Sequence, residues 1–283
     1  MRTAGILLSL VVVSSPAWAG FGSSSVAIQA AVQSGSVDAI VAELEKSEEL
    51  PSKGAIAAVL PLVDHASWRV RDAAGWWLTR RGVRTQVIAD MTARLQGADP
   101  VAARNAGDVL AAMREFTVLP ALSAYLQKPL DEDSGVAVAR AIGAIGHPSG
   151  LSALTGALGS ALAGVRAQAA ASLRDLRAPR GTKVAASTAP LLPLVADADA
   201  NVRRQAIMTI GFIAQSGGDV SGALTPLSSA ATGDPSATVR KAAAWALGAL
   251  KDGGARAALM QAQANDSDAM VRSIASAALA NLR

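Results

Sequence analysis

The side chains able to do chemistry are few in this 283-residue chain, and their spacing limits what that chemistry can be. His65 and His147 are its two histidines, and it has no cysteine. A metal centre needs several converging ligands, so this pool points to no metal and no cofactor, and each histidine falls in a predicted turn as a capping side chain. The chain has no Gly-x-Ser-x-Gly elbow, no Ser-x-x-Lys pair, no Gly-x-x-x-x-Gly-Lys phosphate loop and no Gly-x-Gly-x-x-Gly fingerprint. Gly181-Thr182-Lys183 matches only the end of a phosphate loop and reads as an inserted turn. Carboxylates cluster at Glu43, Glu45, Glu48 and Glu49 and at Asp131-Glu132-Asp133. Glu43 and Lys46, however, stand three residues apart on a predicted helix, the spacing of a solvated ion-paired face rather than of acid–base catalysis. No catalytic residue is expected. What does recur is arginine and tryptophan: Arg71, Arg166, Arg203, Arg240 and Arg272 each follow a valine, and Trp76 and Trp245 each stand five residues after one of these arginines.

The elements that carry them repeat. With the Val-Arg pair as a ruler, copies fall at positions 71, 102, 135, 166, 203, 240 and 272, where Ala102 and Gly135 replace the arginine. A period of this size marks a helical solenoid, in which each helix pair buries its apolar face only by stacking on its neighbours. Seven residues after the ruler stand Leu78, Val109, Ile142, Leu173, Ile210, Leu247 and Leu279, and three after it a small residue is usual, as at Ala74, Ala169, Ala206, Ala243 and Ala275. These positions share one buried stripe of a helix. The copies at 102 and 135 are the degenerate ones. An apolar first helix precedes each copy: 55–63, 87–95, 119–126, 151–162, 190–195, 223–231 and 255–264. Between the two helices lies an acidic turn (Asp64, Asp99, Asp131, Asp197, Asp234 or Asp266), where aspartate can cap the second helix; in the fourth copy Ser160 takes that place. Ahead of the repeats, 26–33 and 37–46 read as two short capping helices.

Composition agrees with an all-α protein: 51% hydrophobic, 17% charged and only 3% aromatic, with alanine, leucine and valine carrying the apolar content. The net charge of +4 is too balanced to form a strong basic field. Residues 1–19 combine Arg2, an apolar run from Ala4 to Val13, Pro16 and the small-x-small step Ala17-Trp18-Ala19, the pattern of a cleavable secretory signal peptide. The expected organisation is a signal peptide at 1–19, linker and capping helices at 20–53, and the repeat array at 54–283. No membrane span is expected in the mature chain, and localisation is expected to be periplasmic or secreted.

Asp197, Val202-Arg203, Ala206 and Ile210-Gly211 form a pattern repeated by Asp234, Val239-Arg240, Ala243 and Leu247-Gly248, and by Asp266, Val271-Arg272, Ala275 and Leu279. It resembles the HEAT-repeat family, specifically the short HEAT-like repeats of phycobilin lyase subunits, over about residues 54 to 283. The resemblance implies a right-handed α–α superhelix of about seven helix pairs with a helical cap. It also implies that Arg71, Arg166, Arg203, Arg240 and Arg272 are structural and pair with a turn aspartate such as Asp197, Asp234 or Asp266 of their own or the adjacent repeat. Such arginines are no phosphate ladder, and with export expected the partner is not nucleic acid. HEAT-like deoxyhypusine hydroxylases carry His-Glu steps for iron; here His65 is followed by Ala66 and His147 by Pro148, so that activity is not implied. In HEAT solenoids the second helices line the concave side, which puts Trp76, Arg140, Arg204, Met208, Lys241 and Trp245 forward as a partner-binding face. Trp76 and Trp245 are equally readable as packing on a neighbouring helix, and Trp68 and Trp77 as core or capping residues. The expected function is an exported, non-enzymatic scaffold for an unknown protein or peptide, of unassigned oligomeric state. A lyase-like or cofactor-attachment subunit and a self-associating envelope protein are the alternatives.

Overall fold

The computed structural model describes residues 25–47, 53–129, 131–176 and 187–282. The expected signal peptide, the Gly181-Thr182-Lys183 turn, and Glu48 and Glu49 lie outside them. The cap is Ser25–Ser34 (α1) and Val37–Lys46 (α2). Ser36 starts α2 by accepting the Ala39 N–H, one of the orphan donors of a first helical turn.

Seven further pairs follow. Ile56–Val59 (α3), extended by the 3-10 turns Lys53–Ala55 and Leu60–Asp64, packs on Trp68–Leu78 (α4). Arg84–Arg94 (α5) packs on Pro100–Met113 (α6), Leu119–Gln127 (α7) on Glu132–Ile145 (α8), and Leu151–Ala157 (α9) on Ala163–Ser172 (α10). The first member of the next pair is a 3-10 helix, Ala189–Ala196, packed on Ala200–Gln215 (α11). Pro193 inside it supplies no N–H and obstructs an α-helical turn. Leu224–Gly233 (α12) with Ala237–Leu250 (α13), and Arg256–Asn265 (α14) with Ala269–Ala280 (α15), complete an α–α superhelix. The one extended pairing among the described residues is an isolated bridge between Ser187 and Asp219.

The second helices α2, α4, α6, α8, α10, α11, α13 and α15 form a continuous layer, each packed on the next. The first helices touch one another less, so the second layer lies on the shorter, inner side of the curve. Every residue three after the ruler is buried, including Asn105 and Val138 of the degenerate copies. The column seven after it is buried from Leu78 to Leu247, and Leu279, in the last copy, is half-buried. Small side chains let these helices approach: a Cβ at Gly248 would stand 2.8 Å from the Ala278 Cβ.

The turn aspartates divide the two expected duties, helix capping and arginine pairing, between different residues. Asp99, Asp131, Asp199 and Asp268 cap their helices. Asp197, Asp234 and Asp266 instead receive the arginine of the preceding repeat. Arg203 donates Nε and Nη2 to the two Asp234 oxygens at 2.7 and 2.9 Å, while its Nη1 donates to the Asp197 and Ala198 carbonyls at 2.9 and 3.1 Å. Arg166 grips Asp197 in the same two-pronged way, and Arg240 grips Asp266. Arg272 holds the Asp266 and Ser267 carbonyls. Each arginine thus fixes its own turn and ties the next repeat to it. These guanidiniums are 12 to 17% exposed and their carboxylates 5 to 9%, so solvent screens them little.

Removing one partner strands the other charge. Arg203→Ala should lower unfolding free energy by roughly 3 kcal/mol in a urea titration followed by circular dichroism, while Arg204→Ala, next to it on the inner face, should change it by less than about 1 kcal/mol. Hydrogen bonds from Arg166 and Arg240 hold the Asp197 and Asp266 carboxyls below their ordinary value of 3.8. A carboxylate depressed by folding adds stability that is whole above its unfolded value and is lost as pH falls through its folded one. Urea midpoints should therefore hold down to about pH 5 and drop progressively below about pH 4, with a smaller drop in Asp197→Asn.

Candidate protein-binding face

The inner layer presents one ridge on which chemistry is concentrated. Trp68, Asp72 and Trp76 follow one another at four-residue spacing along α4 and so share a face of that helix, and Arg80 stands four residues further on, in the turn that follows it. Trp68 is 54% exposed, against the expectation of a core or capping role: it stands in the first turn of α4, beyond the reach of the stripe that buries the next residues. Trp77 is core, 1% exposed, with its indole N–H donated to Ser47 Oγ at 2.9 Å. Trp76 is half-buried against the core.

Two cavities flank the ridge, and Trp68, Asp72 and Trp76 line both. One, of about 470 Å³, opens toward α2 and adds Val41, Glu45, Arg69 and Ala73. The other, of about 480 Å³, opens toward α6 and α8 and includes Arg80, Arg114 and Arg140. Guanidiniums already stack on the indoles: Arg140 lies 5.5 Å from the Trp68 ring centre and Arg80 5.6 Å from that of Trp76. Asp72 forms no salt bridge among the described residues. Burial pushes its carboxyl above the ordinary value; the Asp108 and Glu45 charges add to the rise, and Arg140 and Arg114 oppose it.

Asp108 anchors the far side of this groove, and sequence reasoning missed it. It is 2% exposed in the middle of α6 and accepts Nε and Nη2 of the buried Arg71 as well as Nη2 of Arg140. Arg71 Nη1 holds the His65 and Ala66 carbonyls. The copy at 102 lacks its arginine, and here the fork of Arg71 reaches a helix carboxylate in place of a turn aspartate. A lone acid within Ala106-Gly107-Asp108-Val109-Leu110 was the available signal, because an acid flanked by buried positions needs a cationic partner. The histidines sit as turn caps: His65 Nδ1 accepts from the Ser67 N–H at 3.0 Å, and His147 Nδ1 from that of Ser149 at 3.3 Å.

The six residues put forward for a partner-binding face are not brought into one place. Trp76 and Arg140 line the same cavity. Arg204 donates to Asn201 Oδ1 at 2.9 Å, Met208 packs on the core, and Lys241 Nζ is 3.5 Å from Asp268. Trp245 does not stand free: its indole covers Gly211 of α11 and lies 5.1 Å from the Phe212 ring. Only part of it borders a separate cavity of about 640 Å³ among α11, α13 and α15. The five-residue offset put it on the open side of its own helix without accounting for the helix alongside, where Gly211 leaves room for the ring. Asp72 and Trp68 were also missed as groove residues, although Asp72 shares the column of Arg204 and Lys241.

A methyl group at Gly211 would drive into the Trp245 ring. Gly211→Ala should cost about 1 to 3 kcal/mol from overpacking and shift tryptophan emission to the red as the indole is displaced; an unchanged melting temperature and spectrum would contradict this packing.

A family model for HEAT repeats matches residues 88–174 and 188–280. Among solved structures, the chain is similar to the Escherichia coli protein YibA, at 14% identity over 90% of each chain with a TM-score of 0.56. It is also similar to an engineered protein, at 18% identity over 91% of this chain and 73% of that one, TM-score 0.55. Human deoxyhypusine hydroxylase in complex with glycerol aligns over 91% of this chain and 96% of that one at 22% identity, but with a TM-score of 0.39 the likeness carries no argument. No curated protein matches the chain. The repeat pattern, the stacked helix pairs and the family match over both stretches give one result: the chain belongs to the HEAT-repeat family.

Proposed function

We propose that this chain is an exported, non-catalytic scaffold that holds a partner protein or peptide on the inner face of its solenoid. The observation that carries the reading is the pair of indoles on α4. Trp68 is more than half exposed in a groove that also contains Trp76 and Asp72, a carboxylate with no salt bridge among the described residues. A solvent-facing tryptophan in a concave groove is the kind of anchor that dominates binding energy between proteins. The arginines that could otherwise serve chemistry are tied into the structural pairs. Among the described residues no three His, Asp or Glu side chains gather as a metal site, and no helix is long and apolar enough to cross a membrane. Export rests on residues 1–19 as read from the sequence, and it places the partner in the periplasm or outside the cell.

Crosslinking in intact cells, followed by mass spectrometry, identifies the partner and the first residue of the mature chain, expected at Gly20. With the purified partner, Trp76→Ala should weaken affinity about thirtyfold, the value of a hot-spot residue near 2 kcal/mol, with the helical circular dichroism spectrum retained. An affinity unchanged by Trp76→Ala would overturn the assignment of this face, and a precursor that keeps residues 1–19 in the cytoplasm would overturn export.

A further inference from the structure

The two sides of the α4 ridge differ in charge. On the side of α6 and α8, arginines of the chain itself lie on the indoles. On the side of α2 the cavity is bordered by Glu45 and Asp72, neither of which forms a salt bridge among the described residues, and by Arg69, whose charge is taken up by Asp38 at 2.7 Å. This side therefore carries two carboxylates without a salt bridge among the described residues, Arg140 and Arg114 acting on Asp72 from the opposite cavity, on a chain whose net charge is +4. Trp68 and Trp76 stand eight residues apart on one helix face, about 12 Å along its axis, with Asp72 midway. Indole faces attract cations, and a carboxylate between two of them completes the complement of an extended cationic side chain.

We propose that the α2 side of this ridge binds a lysine or arginine side chain of a partner peptide, with Asp72 and Glu45 as counter-charges and Trp68 and Trp76 as walls. The proposal rests on the inner-face reading above and names the chemistry of what is bound there. A hard metal ion fits less well: two carboxylates fall short of the six or more oxygen ligands it takes, and indole walls offer it none. A basic side chain uses all four groups.

The test is a fluorescence titration of the full chain with hexalysine, hexaglutamate and an uncharged Gly-Ser hexapeptide at low salt. Tryptophan emission should change saturably with hexalysine, and at least ten times more hexaglutamate or Gly-Ser peptide should be needed for any response. Glu45→Gln with Asp72→Asn should weaken hexalysine at least tenfold, and Trp68→Ala should do so independently. Both carboxylates are exposed, so circular dichroism should show the double variant folded; Lys128→Gln, on the outer layer, should bind as the unaltered protein does. Equal affinity in the double variant, or preference for hexaglutamate, overturns the proposal. If hexalysine fails while the partner's affinity still depends on Trp76, the cation slot falls and the scaffold stands. If hexalysine binds through Asp72 while the partner ignores Trp76, the scaffold assignment falls and the slot stands.

Discussion

The structure depends on a two-pronged ion pair that crosses every junction from Arg166 to Asp266. Each guanidinium has five N–H donors in a fixed fork, and the repeat uses the fork in two directions. Nη1 goes to two carbonyls of the arginine's own turn, and Nε and Nη2 go to the next turn's aspartate. A turn between two packed helices carries carbonyls with no helical partner, and burying them unpaired is costly. The arginine satisfies them and, with the same side chain, sets the distance and angle of the following repeat. Because the turn that receives one arginine is itself held by the next, the pairs form a relay from Asp197 to Arg272.

The relay divides the molecule's residues by duty. Positions three and seven after the arginine are committed to packing, and their small and branched side chains leave little room for variation. The ridge on the inner face, one and five positions after the arginine, ranges from buried small residues such as Ala103, Gly107, Ala167 and Ala171 to large or charged ones, and there the repeats differ most. At α4 it holds Asp72 and Trp76, with Trp68 one turn earlier, beside a groove of mixed charge. In α11 and α13 it holds Arg204, Met208, Lys241 and Trp245, which are spent on local partners or on covering the adjacent helix. A regular stack with an irregular inner face suits recognition of one partner by an otherwise uniform fold.

Most of the fold was legible because period and column burial are local properties. Leu78, Ile210 and Leu247 are apolar for the same reason in each copy, and Ser36 and Asp99 cap because a first turn needs an acceptor. Residues 190–195 were read as an ordinary first helix, and Pro193 was the unused signal for their 3-10 form. Long-range choices were not legible. Asp197 and Asp199 are chemically alike in sequence, and which one caps and which one receives Arg166 is decided by a helix thirty residues away. Asp108 pairs with Arg71 and Arg140 across three repeats, and no spacing rule reaches that far. Trp245 was ambiguous for the same reason, since the angle around its own helix says nothing of the neighbour whose Gly211 admits the ring. Trp68 was misjudged because its position in the first turn, before the buried stripe begins, outweighs its apolar character.

The central claim is that the buried helix stripes and the ion pairs build the solenoid while the inner face of its first repeats engages a partner. It is tested most directly by placing a photocrosslinking amino acid at matched inner and outer positions, Trp76 and Ser123, and irradiating intact cells. The account predicts one specific adduct from position 76 and none from position 123. Equal labelling from both, or labelling from 123 alone, would contradict it.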